Sequence, residues 1–196
     1  KMQKIAEKTT AMLSKHIDDI YLNENLFERI KFLYNEKVTL NLSIEQSMVL
    51  ENYYIDFVRG GANLSQDGKE KLRKINDELS QLVLKFGDNV RKENSKYELI
   101  VDRKEELAGL PDASIQAATE KAEIKGLKGK WLFTIDKPTL IPFLQYSENR
   151  DLREKLYKAY MNRGNNNDEL DNKKILSRII VLRVEKANLL GYKTYS

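Results

Sequence analysis

Apolar residues recur every three or four positions along most of this chain, the spacing of one face of an α-helix. Met2 to Ile20 carries Ile5, Met12, Leu13, Ile17 and Ile20 against a polar remainder. Asn23 or Asn25 is placed to cap a second helix bearing Leu26, Phe27, Ile30, Leu33 and Tyr34. Ser43 with Gln46 three residues later reads as a capping box. The helix it opens carries Ile44, Met48, Tyr53, Ile55, Phe57 and Val58 and stops at Gly60-Gly61. Ser65 then caps the longest predicted helix, from about Gln66 to Asn94, with Leu72, Ile75, Leu79, Leu82, Val83, Phe86 and Val90 as its stripe.

The period changes after that helix. Residues 97–101 and 130–135 are β-prone, and they flank a helix near Ala113 to Ile124 and the glycine-broken run 125–129. Two antiparallel strands around a helical insertion are predicted. Pro138 suits the first turn of a short helix at about 139–146. Asn149-Arg150-Asp151 opens another helix with Leu152, Leu156, Tyr157 and Tyr160 on one face. Residues 164–168 read as a loop, and a last helix runs from about Glu169 to Leu190, with Gly191 as its stop. The fold class predicted is therefore mainly α, with one small antiparallel β element at about 97–101 with 130–135. Three segments are expected: long helices over 1–94, a strand–helix–strand insertion over 95–136, and further helices over 137–196.

Composition narrows the chemistry. The 196 residues include 34 basic and 30 acidic side chains, and the net charge of +4 is spread along the chain. No basic block marks a nucleic-acid surface, and no apolar run approaches the length that spans a bilayer. Neither nucleic acid nor membrane is expected as a partner. There is no cysteine and only one histidine, His16. Disulfides, a thiol nucleophile and thiolate metal sites are excluded. A zinc site built on two or three histidines cannot form within this chain, and a serine–histidine–aspartate triad lacks a nucleophile elbow. His16 is read as an exposed or capping residue.

The remaining candidates are weak. Lys125, Lys128 and Lys130 flank Gly126 and Gly129, but the run precedes a strand, whereas a phosphate-binding turn follows one. The acidic pairs Asp18-Asp19, Glu105-Glu106 and Asp168-Glu169 read as surface partners for lysines, as Glu154 does for Lys158. Tyr53, Tyr54, Tyr157 and Tyr160 fall at packing positions, while Tyr146, Tyr192 and Tyr195 lie near helix ends where a cleft would be. No catalytic, cofactor-binding or metal-ligating residue is assigned.

A set of segments, in order along nearly the whole chain, resembles a known family. They are 19–23 with 26–29, the Phe57-Val58-Arg59-Gly60-Gly61-Ala62 turn, 75–80 through Phe86 and Asn89-Val90, Leu107-Ala108-Gly109-Leu110-Pro111, Lys125-Gly126-Leu127 before Trp131-Leu132, 149–155, and Leu189-Leu190-Gly191-Tyr192 with Lys193-Thr194-Tyr195. Together they resemble the thimet-oligopeptidase-like zinc metallopeptidases, nearest to the bacterial peptidyl-dipeptidase and oligopeptidase A branches. The resemblance implies a multi-helical, neurolysin-like lid over a deep channel that admits short, unstructured peptides. It implies zinc in the parent enzyme, held by a His-Glu-x-x-His helix and a downstream glutamate, and release of dipeptides from peptide carboxyl ends.

This chain contains no His-Glu-x-x-His, so no zinc or catalytic position carries over. It is expected to be an amino-terminal-half piece of such a peptidase, inactive alone and binding no metal itself. Lys1 is no initiator methionine, which suits a processed or truncated product of the bacterial cytoplasm or periplasm. Short peptides are the expected partners of the parent, and the piece is expected to self-associate through apolar surface. The alternative is a free-standing helical domain that binds peptides or a protein without catalysis.

Overall fold

The structure is a computed structural model that describes residues 2–195. Among these residues eight α-helices and one two-stranded sheet form. The helices are α1 (Met2–Tyr21), α2 (Glu24–Asn35), α3 (Ile44–Arg59), α4 (Gln66–Lys96), α5 (Asp112–Ile124), α6 (Lys137–Tyr146), α7 (Arg150–Met161) and α8 (Lys173–Leu189). The strands are β1 (Leu99–Val101) and β2 (Trp131–Phe133), and a single 3-10 turn covers Lys104–Leu107. The predicted mainly α class with a small β element is the class observed.

The caps lie where the sequence signals them. Asn23 Oδ1 accepts from the Leu26 amide, and Asn149 Oδ1 from the Leu152 amide. Ser43 and Gln46 form the full capping box, and the Ser65 hydroxyl accepts from the Gly68 amide at the start of α4. These bonds satisfy amides that the first helical turn leaves without partners.

The chain divides into two compact units. One comprises the described residues up to Lys85 together with those from Ile175 onward. Its aromatic core joins Phe27 of α2 to Phe57 of α3, each only 2% exposed, with Tyr21, Ile30, Tyr54 and Val58 around them. The Phe27 and Phe57 rings stack at 6.0 Å, and Tyr34 lies parallel to Tyr54 at 3.9 Å. Burying each phenylalanine contributes about 1.5–3 kcal/mol. The Gly60-Gly61 turn closes this core. Gly61 has φ +97°, and a Cβ there would lie 2.4 Å from Cδ2 of Leu72, which is fully buried. Only glycine meets both demands.

The same unit holds a buried polar relay. Asp18 of α1 is 6% exposed, and its Oδ1 accepts from Asn76 Nδ2 of α4 at 2.7 Å. Asn76 Oδ1 in turn accepts from Lys186 Nζ of α8 at 2.7 Å. A carboxylate only accepts and an ammonium only donates, so the amide between them is the one group with both ends to offer. Next to the relay, Arg73 of α4 pairs with Asp19 at 2.7 Å.

The relay sets the orientation of α1. Its packed side is Ala6, Thr10, Ala11, Ser14 and Asp18, mostly small or polar side chains. The apolar stripe read from the sequence is on the opposite side, with Met12 at 62%, Leu13 at 55% and Ile17 at 52% exposure. Amphipathic spacing identifies the helix correctly, but the face it buries is the polar one.

The second unit, Phe86–Lys174, has its own core. β1 and β2 pair antiparallel in the register Leu99 with Phe133, Ile100 with Leu132 and Val101 with Trp131. Both strands are shorter than the predicted runs. Phe133 meets Phe143 of α6 edge-on at 4.7 Å, within a cluster that includes Val101, Ile135, Leu140, Leu152 and Leu156. The last helix starts at Lys173, four residues later than its sequence pattern suggests. The Asp171 carboxylate accepts from the Lys173 and Asn167 amides, and the Asn172 amide donates to the Gly164 carbonyl. These bonds hold the preceding segment as a loop. The same loop is tied to α4, where the Glu93 carboxylate accepts from the Gly164 amide and the Asn166 side chain, and Asn89 donates to Asn172 Oδ1 at 2.9 Å.

Two features of the first unit are open to measurement. Gly61→Ala places a Cβ against Leu72 in a left-handed backbone, and denaturant unfolding should register a loss on the order of 2–3 kcal/mol. Asp18 concerns pH. Burial raises its pKa, outweighing the Asn76 hydrogen bond and the charges of Arg73 and Lys186. The folded state therefore holds the Asp18 proton more tightly than the unfolded state does, and the ionised carboxylate opposes folding above its raised pKa. Asp18→Asn keeps an acceptor for Asn76 without the charge. Urea titrations should find it more stable than the parent at neutral pH, with the difference closing as pH falls through the carboxylate range. A gap that widens on acidification would contradict this account.

Candidate functional site

Lys186 has a second environment. Its side chain forms one wall of a pocket of about 320 Å³ within the first unit. Arg59, Tyr192, Thr194 and Tyr195 complete the polar lining, and Ala187 and Leu190 the apolar part. The pocket is built by the end of α8. Gly191, at φ +81°, reverses the chain so that the Tyr192 amide donates to the Ala187 carbonyl at 2.9 Å. This six-to-one bond is the Schellman stop that the sequence signals at Gly191. It returns residues 192–195 alongside the last turn of the helix. The Arg183 guanidinium lies 5.1 Å from the Tyr195 ring centroid, which holds that ring by a cation–π contact. Arg59 comes from the last turn of α3, next to the Gly60-Gly61 turn.

The electrostatics of the pocket are one-sided. Among the described residues every polar side chain in its wall carries an N–H or O–H donor, and no carboxylate lines it. Arg59 has no ion pair or hydrogen bond among the described residues. Lys186 is half-buried, and burial lowers its pKa, with the Asp18 charge opposing the shift. Its hydrogen-bond partner is the neutral Asn76 amide. Such an arrangement favours an incoming negative charge, which would relieve the burial of the ammonium.

The residues that the sequence offers as candidates are dispersed over the fold. Tyr192 and Tyr195 line the pocket, whereas Tyr146 sits half-exposed at the end of α6 in the other unit. Asp18 is no surface carboxylate but the buried end of the relay, and Asp19 alone of that pair is exposed. Asp168 and Glu169 face Lys96, and Glu106 pairs with Arg103. Lys125 pairs with Glu98 and Lys130 with Asp102 at 2.7 Å, so two of the three loop lysines are held by local carboxylates. Glu154 and Lys158 pair along α7 as the spacing indicates. His16 lies on the exposed side of α1. Among the described residues no three histidine, aspartate or glutamate side chains converge in a way that would hold a metal ion. The sequence does not single out Arg59 or Lys186. Nothing in their local pattern separates them from the other basic residues near helix ends.

Comparison with known proteins supplies what the site does not. Residues 143–196, which contain α7 and α8, match the model of Peptidase family M3. The chain is 37% identical over 189 residues to oligopeptidase A of Haemophilus influenzae, covering 94% of this chain and 28% of that protein. It is 34% identical over 195 residues to dipeptidyl carboxypeptidase of Escherichia coli, covering all of this chain and 29% of that protein. Oligopeptidase A of Escherichia coli is 31% identical over 194 residues, 97% of this chain and 28% of its own length. The chain thus spans less than a third of the length of these relatives. The resemblance read from the ordered segments thus extends to these peptidases over almost every residue, and over residues 143–196 it is a match to Peptidase family M3.

Proposed function

We propose that this chain is part of a zinc-dependent peptidase that cleaves short peptides, releasing dipeptides from their carboxyl ends. The observation that carries this reading is the similarity over nearly the whole chain to oligopeptidase A and dipeptidyl carboxypeptidase. Within that enzyme the chain supplies part of the helical wall of the substrate channel. Residues 1–94 form the long helices of a lid, residues 95–136 an insertion in it, and residues 137–196 the helices that lead toward the catalytic half. The described residues offer no fit for zinc, so the metal, the water it activates and the proton transfers belong to the rest of the enzyme. By itself the chain is inactive.

The exposed apolar faces support a role as a wall. Besides the α1 stripe, Phe32 on α2, Ile44 and Met48 on α3, and Leu176, Ile180 and Val184 on α8 are exposed. A lone domain rarely leaves so many large apolar side chains in water. Two experiments test the reading. The longer native product containing this chain should cleave a quenched peptide and lose that activity with a chelator, while the 196-residue chain alone should cleave nothing. Chelator-insensitive cleavage, or cleavage by the chain alone, would overturn it. The isolated chain should also associate as its concentration rises in light scattering. Replacing Met12, Leu13 and Ile17 by polar residues should reduce that association, and a parent chain that stays monomeric would remove the argument from exposed faces.

A further inference from the structure

The pocket lined by Arg59 and Lys186 is independent of the peptidase reading. Its two cations are placed differently. Arg59 is exposed and unpaired among the described residues, and Lys186 is half-buried and anchored through Asn76 to Asp18. An anchored ammonium has a fixed position, so less side-chain entropy is lost when it takes a ligand. The Arg59 fork is the complementary element, because a guanidinium grips a planar oxyanion with two parallel N–H donors. Tyr192 and Tyr195 add hydroxyl donors on flat apolar rings, and Ala187 and Leu190 add apolar lining. Asp18 is not among the residues lining the pocket, and the Asn76 amide bonds both it and Lys186.

We propose that this pocket binds a small organic carboxylate, with the carboxylate between Arg59 and Lys186 and an apolar body against the two tyrosines. The volume of about 320 Å³ is at the lower end of ligand sites, which run from roughly 300 to 1,000 Å³, and suits a single amino-acid-sized group. The chemistry is the same for a free acid and for the carboxyl end of a peptide. The test separates these two sources from simple ion binding.

The 196-residue chain, with its tyrosines labelled with carbon-13, is titrated with N-acetyl-phenylalanine, N-acetyl-phenylalaninamide, benzoate and inorganic phosphate. N-acetyl-phenylalanine should shift the Tyr192 and Tyr195 ring signals saturably, and the amide should bind at least about tenfold more weakly, since it lacks the charge. Benzoate binding as well as the N-acetyl acid identifies a free-acid site, and benzoate binding more weakly identifies a peptide-end site. Arg59→Gln should weaken the acid about tenfold and leave the amide unchanged. Arg59 has no partner to lose among the described residues, so its replacement spares the fold. Lys186→Met should do the same, with the fold checked by its circular dichroism. Equal binding of acid and amide, ring shifts that phosphate or chloride reproduce at equal ionic strength, or an Arg59→Gln chain that binds as the parent does would each overturn the site. The readout involves no turnover, so it stands or falls apart from chelator-sensitive cleavage.

Discussion

One amide holds three helices in place. Asn76 has a carboxylate on one side and an ammonium on the other, and those partners lie 58 and 110 residues away along the chain. The amide bonds both only where α1, α4 and α8 bring them within reach of it. The link therefore imposes a condition on its surroundings. α1 has to offer α4 the side that carries Asp18, and that side must be narrow enough for the helices to approach. Alanine, serine and threonine meet that need. Once the helix is turned that way, its large aliphatic side chains have nowhere to go but outward.

That condition also explains which features are legible in the sequence. Helix existence follows from periodicity, and helix ends follow from local chemistry: Asn23, Ser43, Ser65 and Asn149 at the starts, Gly60-Gly61 and Gly191 at the stops. All of these bonds close within a few residues. The β element is legible for the same reason, since β-prone composition at Leu99–Val101 and Trp131–Phe133 is a local property. Which face of α1 is buried is not legible, because hydrophobic spacing assumes that the apolar side faces the core. Here a long-range polar contact overrides that assumption. The beginning of α8 is displaced by a related effect. Residues 169–172 carry a helical pattern, but Asp171 engages the amides of Asn167 and Lys173, and α4 draws the loop in through Glu93 and Asn89.

The candidate pocket is half legible. Tyr192 and Tyr195 stand out because they follow a helix stop, and the Schellman turn does bring them back over α8. Arg59 and Lys186 carry no such mark. What sets them apart is that no carboxylate among the described residues lines their pocket, a property of the folded surface rather than of any sequence window. The family, by contrast, is legible from order alone, because seven short segments in the same succession are seldom shared by unrelated chains.

The span between Asn76 and Lys186 has a consequence during synthesis. A ribosome adding about 5–20 residues per second needs roughly 5–20 s to make the 110 residues between them. Through that interval α1 to α3 have already been made and α4 is completed early in it, while the ammonium that completes the relay is still missing. The Asp18–Asn76 contact then lacks its third member, and α1 is not yet fixed against α4 by the finished link. The nascent chain thus passes through a stage in which its first helix is free to turn, and an early chaperone would meet the aliphatic stripe before α8 arrives to set its direction.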